Sequence, residues 1–244
     1  MSKKNKLYTT RYPNGNLKII EYCLDEEKHR INDAAYIEYY LDGKIKQEES
    51  WEHGFLHRDK WPAVRSWSKF GVLIAEEFWF NGIMHNGKGP ANKLWHENGQ
   101  LKYIDFRFWG AIHRIGGPAT QKWHENGQLK YEDYWINNTI HRIGGPAIQE
   151  WSENGMLLKK EHRINGLMHC MYEPALQEWH PNGQIKKAYY KINNQFHCKN
   201  GPARQEWDEN GNIILCDYYL NGLKIDEKEY INNTVNRLKS KIKI

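Results

Sequence analysis

Apolar and polar positions along this chain follow a pattern that returns every 28 residues without insertion. A branched apolar residue occupies the same position of eight successive units: Leu17, Ile45, Leu73, Leu101, Leu129, Leu157, Ile185 and Ile213. Five residues later, six units carry an aromatic residue: Tyr22, Phe78, Phe106, Tyr134, Tyr190 and Tyr218. Short stretches of this kind predict β-strands. The two positions point to opposite faces of a regular strand unless a bulge intervenes, and the pattern leaves both arrangements open.

Turn residues divide each unit twice. Asn154-Gly155 and Asn165-Gly166 are one example, and a glycine fills the first of these turns in every unit. Asn-Gly supplies the two positive φ angles of a type I′ turn, which joins antiparallel strands. Each unit is therefore predicted to hold two strands, for example over residues 156–164 and 167–179, and no helix signal is present.

The second stretch of four units contains a Gly-Pro pair followed by alanine. The pairs lie at residues 89–90, 117–118, 145–146 and 201–202. Proline removes a donor from the strand ladder and glycine is conformationally permissive, so a kink or break is predicted there. The alanine recurs in seven units, which suggests close approach of a neighbouring strand or ring: Ala35, Ala63, Ala91, Ala119, Ala147, Ala175 and Ala203.

The predicted fold is all-β: an elongated, twisted antiparallel sheet of about eight 28-residue β-hairpin repeats. Residues 1–28 lack the His-Arg and Gly-Pro-Ala motifs and are predicted to be an N-terminal capping repeat, followed by seven repeats over residues 29–224. Residues 230–237 echo residues 135–142. Residues 225–244 are therefore predicted to form a C-terminal capping hairpin, with Lys239, Lys241 and Lys243 protecting its edge.

Composition limits the functional classes. The chain has 11 Trp, 15 Tyr and 7 Phe, which argues against disorder. Its mean hydropathy of −0.89 and the lack of a long apolar run exclude a transmembrane segment. No secretory signal is seen, and four cysteines form no Cys-x-x-Cys pair, so reduced thiols in the cytoplasm are expected. A net charge of +5 spread along the chain does not indicate nucleic-acid binding.

The motifs Trp-x-Glu-Asn-Gly-x-Leu, Tyr-x-x-Asn-Gly and His-Arg-x-x-Gly-Pro-Ala resemble the MORN-repeat superfamily, in the variant form of bacterial and large-DNA-virus proteins. The unit here is longer than the commonest MORN repeat because Gly-Pro-Ala follows the histidine. The resemblance implies a sheet-forming scaffold that mediates protein contacts or lies near membranes, with no shared catalytic residue. Partners would be other proteins, including further copies of the chain or capsid proteins, and peripheral membrane contact is compatible with the resemblance.

Histidine and arginine rows are the first candidate sites. Histidines stand at 29, 57, 85, 113, 141, 169 and 197. Neighbours in this row lie two strands apart, roughly 9.6 Å, so they cannot share one zinc ion. Each imidazole either satisfies a backbone group at the kink or contributes to a metal-binding or pH-sensitive ladder. Beside them stand Arg30, Arg58, Arg114 and Arg142, which either bind phosphates or carboxylates or are solvated or paired with Glu97, Glu125 and Glu153. The candidate interaction surface is Arg58, Arg114, Arg142, His113 and His141.

A tryptophan row is the second candidate: Trp67, Trp95, Trp123, Trp151, Trp179 and Trp207. Its members are either a structural row packed across strands or a stacking platform for sugars or bases, and the structural role is favoured. No catalytic motif, metal-ligand motif or cofactor motif is found. The predicted function is a non-enzymatic repeat scaffold for protein–protein contacts, with a structural component of a virus particle (virion localisation) as a specific version. The alternative is a carbohydrate-binding module, because aromatic Asn-Gly hairpins also resemble bacterial cell-wall-binding repeats.

Overall fold

Short antiparallel strands joined by tight turns make up nearly all of the computed structural model, which describes residues 4–232. The chain divides into two units, residues 1–128 and 129–244. The strands of the first unit are β1 (Asn5–Arg11), β2 (Leu17–Leu24), β3 (Glu27–Lys28), β4 (Tyr36–Tyr39), β5 (Ile45–Glu49), β6 (Trp51–Glu52), β7 (Phe55–Leu56), β8 (Val64–Trp67), β9 (Leu73–Glu77), β10 (Trp79–Phe80), β11 (Ile83–Met84), β12 (Asn92–Trp95), β13 (Leu101–Asp105), β14 (Arg107–Phe108), β15 (Ala111–Ile112) and β16 (Thr120–Trp123).

The second unit repeats this order of elements. Its strands are β17 (Leu129–Asp133), β18 (Trp135–Ile136), β19 (Thr139–Ile140), β20 (Ile148–Trp151), β21 (Leu157–Glu161), β22 (Arg163–Ile164), β23 (Leu167–Met168), β24 (Leu176–Trp179), β25 (Ile185–Tyr189), β26 (Lys191–Ile192), β27 (Gln195–Phe196), β28 (Arg204–Trp207), β29 (Ile213–Leu220) and β30 (Leu223–Ile225). The all-β class and the antiparallel hairpin repeats predicted from the sequence are confirmed in both units.

A longer hairpin forms the main ladder of each repeat. In the first unit, β8 pairs with β9 from Val64 opposite Glu77 to Trp67 opposite Leu73. The far side of β9 then pairs with β12 of the next repeat. In the second unit, β21 pairs in the same way with β20 and β24. Consecutive repeats are thus joined by backbone hydrogen bonds within each unit.

A bulge interrupts the ladder next to the tryptophan position. In β8 and β9, Ser66 lies opposite Ala75 but Trp67 lies opposite Leu73, so Ile74 is an extra residue. The same shift recurs in the other long hairpins of both units. Of the two arrangements that the sequence left open, the structure adopts the bulge, which changes the alternation between the branched residue and the aromatic residue that follows it.

A second, shorter hairpin of two residues per strand completes the repeat. Trp79 pairs with Met84 and Phe80 with Ile83 across the turn Asn81-Gly82. Both turn residues have positive φ, 48° and 74°, as a type I′ turn requires. The predicted hairpin turn at this Asn-Gly is confirmed.

Each predicted strand is divided into two shorter strands. The first predicted strand of a repeat breaks at the aromatic position, and the second breaks at the Gly-Pro loop. The N–H of Phe78 leaves the ladder of its own strand and donates to the carbonyl of Ala91 in the next repeat, at 2.7 Å. The same alanine donates its own N–H to Asp105. The alanine therefore bridges two repeats through its backbone, which explains why this row is nearly or wholly inaccessible to solvent and why a larger side chain would not fit.

The C-terminal cap differs from the prediction. Residues 227–232 are helical, whereas the sequence analysis expected a strand and a turn there. Tyr230 explains the difference, because its buried ring lies 4.7 Å from the Tyr218 ring and its hydroxyl donates to the carbonyl of Lys199. The remainder of the predicted hairpin, with its three lysines, lies outside the described residues. Within residues 4–232, no helix combines the length and apolar character that crossing a membrane requires.

Candidate functional site

The arginine row packs onto its own repeat loops. The guanidinium of Arg114 lies 3.8 Å from the centroid of the Phe106 ring, and one of its N–H groups donates to the carbonyl of Pro118 at 2.9 Å. Arg142 does the same with Tyr134 and Pro146. Such contacts combine a cation–π interaction with a charge-assisted hydrogen bond. The expectation of a solvated or glutamate-paired row is therefore wrong for these two arginines, which hold the Gly-Pro loop in place.

Arg58 is the exception in the row. The aromatic position that would face it is occupied by Ser50, so no ring is available. Its side chain instead lines a groove of about 640 Å³ together with Phe80 and Lys93. The predicted interaction surface contains three arginines. Arg58 is the one of these whose guanidinium does not make the ring contact and the carbonyl hydrogen bond described for Arg114 and Arg142.

The histidine row connects to the turns of the short hairpins. Nδ1 of His57 accepts the N–H of Asn81 at 3.2 Å, and Nδ1 of His141 accepts that of Asn165 at 3.1 Å. These donors lie in the turn of the following short hairpin, 24 residues along the chain. The imidazoles thus satisfy a backbone group, but in the turn of the following short hairpin rather than at the kink. His113 is half-buried beside the Phe108 ring.

The tryptophan row is half-buried at all six positions. Its backbone carbonyls take part in contacts between repeats: the Tyr40 hydroxyl donates to the carbonyl of Trp67 at 2.8 Å, and Nε2 of His180 lies 2.9 Å from the carbonyl of Trp207. The structure therefore places the row between repeats, where neither a fully buried core nor an open platform describes it.

A row of carboxylates, three of which are buried, was not identified from the sequence. Asp105 has 1% of its side chain exposed and accepts hydrogen bonds from the Tyr103 hydroxyl and from Nε of Arg107. In the second unit, Asp133 accepts from Tyr131, and burial together with this carboxylate raises the pKa of the Tyr131 hydroxyl. The recurrence was visible in the sequence as Glu21, Glu49, Glu77, Asp105, Asp133, Glu161 and Asp217. These groups are paired within their repeats and brace the break between the two hairpins.

Exposed apolar side chains cluster on the short-hairpin turns of the first unit. We call this cluster the turn patch: Phe55, Ile83, Phe108 and Trp109. Phe55 packs over Gly82 of the following turn, and Ile83 packs against Gly110 of the next. Phe55 is 56% exposed and Trp109 is 52% exposed. Apolar side chains that are exposed close together mark interaction sites on proteins, and Phe and Trp are enriched in such interfaces.

Trp109 has a backbone conformation that is unusual for its residue type. Its φ is 48°, in the left-handed region where asparagine and glycine are favoured. Other repeats have asparagine at this turn position, including Asn81 and Asn137. The indole stacks on the His85 ring with a centroid distance of 4.5 Å and an interplanar angle of 6°. A bulky aromatic is thus held where it is locally strained, which is a common property of functional positions.

The geometry defines this chain as an array of antiparallel β-hairpin repeats whose polar rows hold the loops, turns and strand breaks in place. A family profile described as MORN repeat variant matches residues 32–53 and 119–137. The match at these two segments confirms the resemblance to MORN repeats that the motifs indicated. MORN repeats are non-enzymatic modules that scaffold proteins or bind proteins or membranes.

Other comparisons add little. No curated protein matches the chain. One similar solved structure is the "Crystal Structure of TcdB2-TccC3-TEV", which is 12% identical over 90% of this chain, with a TM-score of 0.17. The chain spans 13% of the length of that protein chain. A likeness at this level supports no argument about the fold or the function.

Proposed function

We propose that the protein is a non-enzymatic repeat scaffold that binds another protein through the turn patch of its first unit. The observation that supports this most strongly is Trp109, an exposed aromatic residue at a strained turn position where other repeats carry asparagine. Such a residue contributes little that the fold needs, since asparagine serves the same turn elsewhere. Aromatic anchors of this kind are the usual energetic centres of protein interfaces.

The remaining predicted surface is less suited to binding. Arg114 and Arg142 already use their guanidinium groups on their own loops, so they could bind phosphates or carboxylates only by giving up these contacts. Arg58 lies in the same unit as the turn patch and lines the groove that also includes Phe80. The ring of Phe80 lies 5.7 Å from that of Trp109. Arg58 is therefore the predicted surface residue that we place at the edge of the binding surface.

A quantitative capture experiment tests the proposal. The full chain and its Trp109→Asn variant are immobilised and exposed to extract from cells that produce the protein, and bound proteins are compared by mass spectrometry. Leu223→Gln is the control, because Leu223 is exposed at the first strand residue after a short-hairpin turn, a position that Gln195 occupies in another repeat. We expect a protein that the wild type and the control capture equally and that Trp109→Asn loses. Direct binding of that purified protein should weaken by at least about 30-fold, the effect of losing an interface hot spot.

The same experiment separates the competing functions. A captured virus structural protein would support the version in which the chain is a component of a virus particle. Binding of cell-wall polysaccharide by the wild type, reduced by substitution in the tryptophan row, would support the carbohydrate-binding alternative. Captured proteins that are all indifferent to Trp109, or binding to lipid vesicles alone, would overturn the proposal.

A further inference from the structure

Three residues of the second unit depart from the repeat pattern at one place in space. His162 stands at the aromatic position, where the preceding repeat has Tyr134. Cys170 stands at the arginine position and Glu173 at the glycine position. In the preceding repeat the same three positions hold the ring, the guanidinium and the glycine of the packed loop. All three groups that make up that loop are thus replaced together, and each replacement is a metal-ligating residue type.

The ligand atoms of these side chains lie close together. One atom from each of His162, Cys170 and Glu173 falls within 4.8 Å of the others, and Nε2 of His162 lies 3.3 Å from Oε1 of Glu173. The His162 backbone is fixed by a 2.7 Å hydrogen bond from its N–H to the carbonyl of Ala175. A tetrahedral zinc ion bound by nitrogen, sulfur and oxygen holds its ligand atoms roughly 3.4–3.6 Å apart. Small rotations of the Cys170 and Glu173 side chains would reach that spacing.

One nitrogen of the buried His162 imidazole lacks a hydrogen-bond partner. Its side chain is 9% exposed, and Nε2 is buried without a hydrogen bond despite the nearby Glu173 carboxylate. A buried polar atom without a partner costs about 1–3 kcal/mol. An aromatic ring, as in most other repeats, would avoid this cost at the same position. A bound cation would satisfy Nε2 and would explain why a histidine occupies this site.

The surroundings of His162 and Glu173 favour the forms of these two side chains that bind metals. Burial lowers the pKa of His162, so its imidazole is held in the neutral form. A 2.6 Å hydrogen bond from Lys160 lowers the pKa of Glu173 and keeps it ionised while leaving Oε1 available. Lys160 and Arg142 are the positive groups nearby and oppose a cation. Sulfur and imidazole ligands select zinc and related transition metals over magnesium or calcium.

We propose that His162, Cys170 and Glu173 form a binding site for one zinc ion. Three protein ligands leave a fourth position for water. The metal would replace the ring-and-arginine packing of the preceding repeat in holding this proline-containing loop. This site is independent of the turn patch, which belongs to the first unit.

Metal titration of the full chain tests the site. The metal-free protein is titrated with zinc chloride by calorimetry and with cobalt chloride by absorption, where a thiolate ligand gives a sulfur-to-cobalt charge-transfer band. We expect one ion per chain. Cys170→Ser should abolish the band and weaken zinc binding by at least about tenfold, and Glu173→Gln should weaken binding by a similar factor. Cys198→Ser is the matched control, because Cys198 fills the same repeat position but has Tyr190 and Gly201 in place of the other two ligands.

A second variant guards against loss of folding. The triple change His162→Tyr, Cys170→Arg and Glu173→Gly restores the pattern of the preceding repeat, so it should fold and should lose the tight zinc site. Absence of binding in the wild type at millimolar zinc would overturn the proposal. So would a charge-transfer band that survives Cys170→Ser, or zinc affinity that falls equally in Cys198→Ser.

Discussion

Gly145 offers a sensitive test of the arginine packing. An added Cβ at this glycine would lie 3.1 Å from both Cζ and Nε of Arg142. Gly145 has no positive φ, so alanine is acceptable to the backbone. Gly145→Ala therefore acts mainly by pushing the guanidinium away from the Tyr134 ring and from the Pro146 carbonyl. Gly201 is the matched control, because it fills the same position in a repeat that has Cys198 instead of arginine, and its Cβ would meet nothing within 4 Å.

The magnitude follows from opposing effects. Weakening the half-buried cation–π contact and one charge-assisted hydrogen bond costs about 1.5–2 kcal/mol. Replacing glycine by alanine at a compatible position gains about 0.5 kcal/mol through the unfolded chain. Gly145→Ala should thus destabilise by about 1–1.5 kcal/mol, whereas Gly201→Ala should stabilise by about 0.5 kcal/mol. The two variants should differ in melting temperature by about 3–8 °C.

Thermal melting and hydrogen exchange would measure this difference. Because repeat arrays need not melt in one step, exchange at the amide of Ala147, which donates to Glu161, gives a local measure of the loop. In the Arg142→Ala background, Gly145→Ala should no longer destabilise, since the clash partner is gone. Equal melting temperatures for the two glycine variants, or an unchanged Gly145→Ala effect without Arg142, would refute the proposed packing.

Two further predictions concern contacts between elements. His57→Phe keeps a ring beside Phe80 but removes the acceptor of the Asn81 N–H, so it should destabilise the protein by about 1–2 kcal/mol in chemical denaturation. His197→Phe removes the equivalent hydrogen bond where it is exposed to solvent, so it should cost less than about 0.5 kcal/mol. Equal costs would contradict a stabilising role for the His57 hydrogen bond. Burial and the hydrogen bond to Glu227 raise the pKa of Tyr218 to about 12. The stability that the protonated Tyr218 hydroxyl contributes is therefore complete below about pH 10 and is lost as the pH rises towards 12. Melting curves against pH should show this alkaline loss in the wild type and less of it in Tyr218→Phe, and parallel curves would show that the bond does not stabilise the helical C-terminal segment.

Much of the architecture could be predicted because it depends on local chemistry. The Asn81-Gly82 turn has the positive φ angles that its residue types favour, whatever the rest of the chain does. The repeat period sets how many hairpins form, and the Gly-Pro loop breaks the strand because proline cannot donate. These features depend on residues close in sequence, so one sequence was enough to find them.

The roles of the polar rows could not be predicted in this way. Whether Arg142 is solvated depends on where the Tyr134 ring lies, and that ring lies beyond a strand break created by pairing with the next repeat. The same holds for the Asp105 carboxylate, whose burial depends on donors placed by two different hairpins. The alternation of side-chain directions along a strand predicts which face a residue lies on only as far as the strand continues, and these residues lie where a strand ends.

The repeat makes the recurring rows of residues easy to find in the sequence, whereas single departures from these rows are easy to overlook. The sequence by itself determined that the chain folds into antiparallel MORN-type hairpins, because turn propensity and strand periodicity are local properties. Only the tertiary structure decided that Trp109 projects from a strained turn and that His162, Cys170 and Glu173 converge. Side-chain direction at these places is set by strand breaks and by contacts between repeats, which no spacing along the chain specifies.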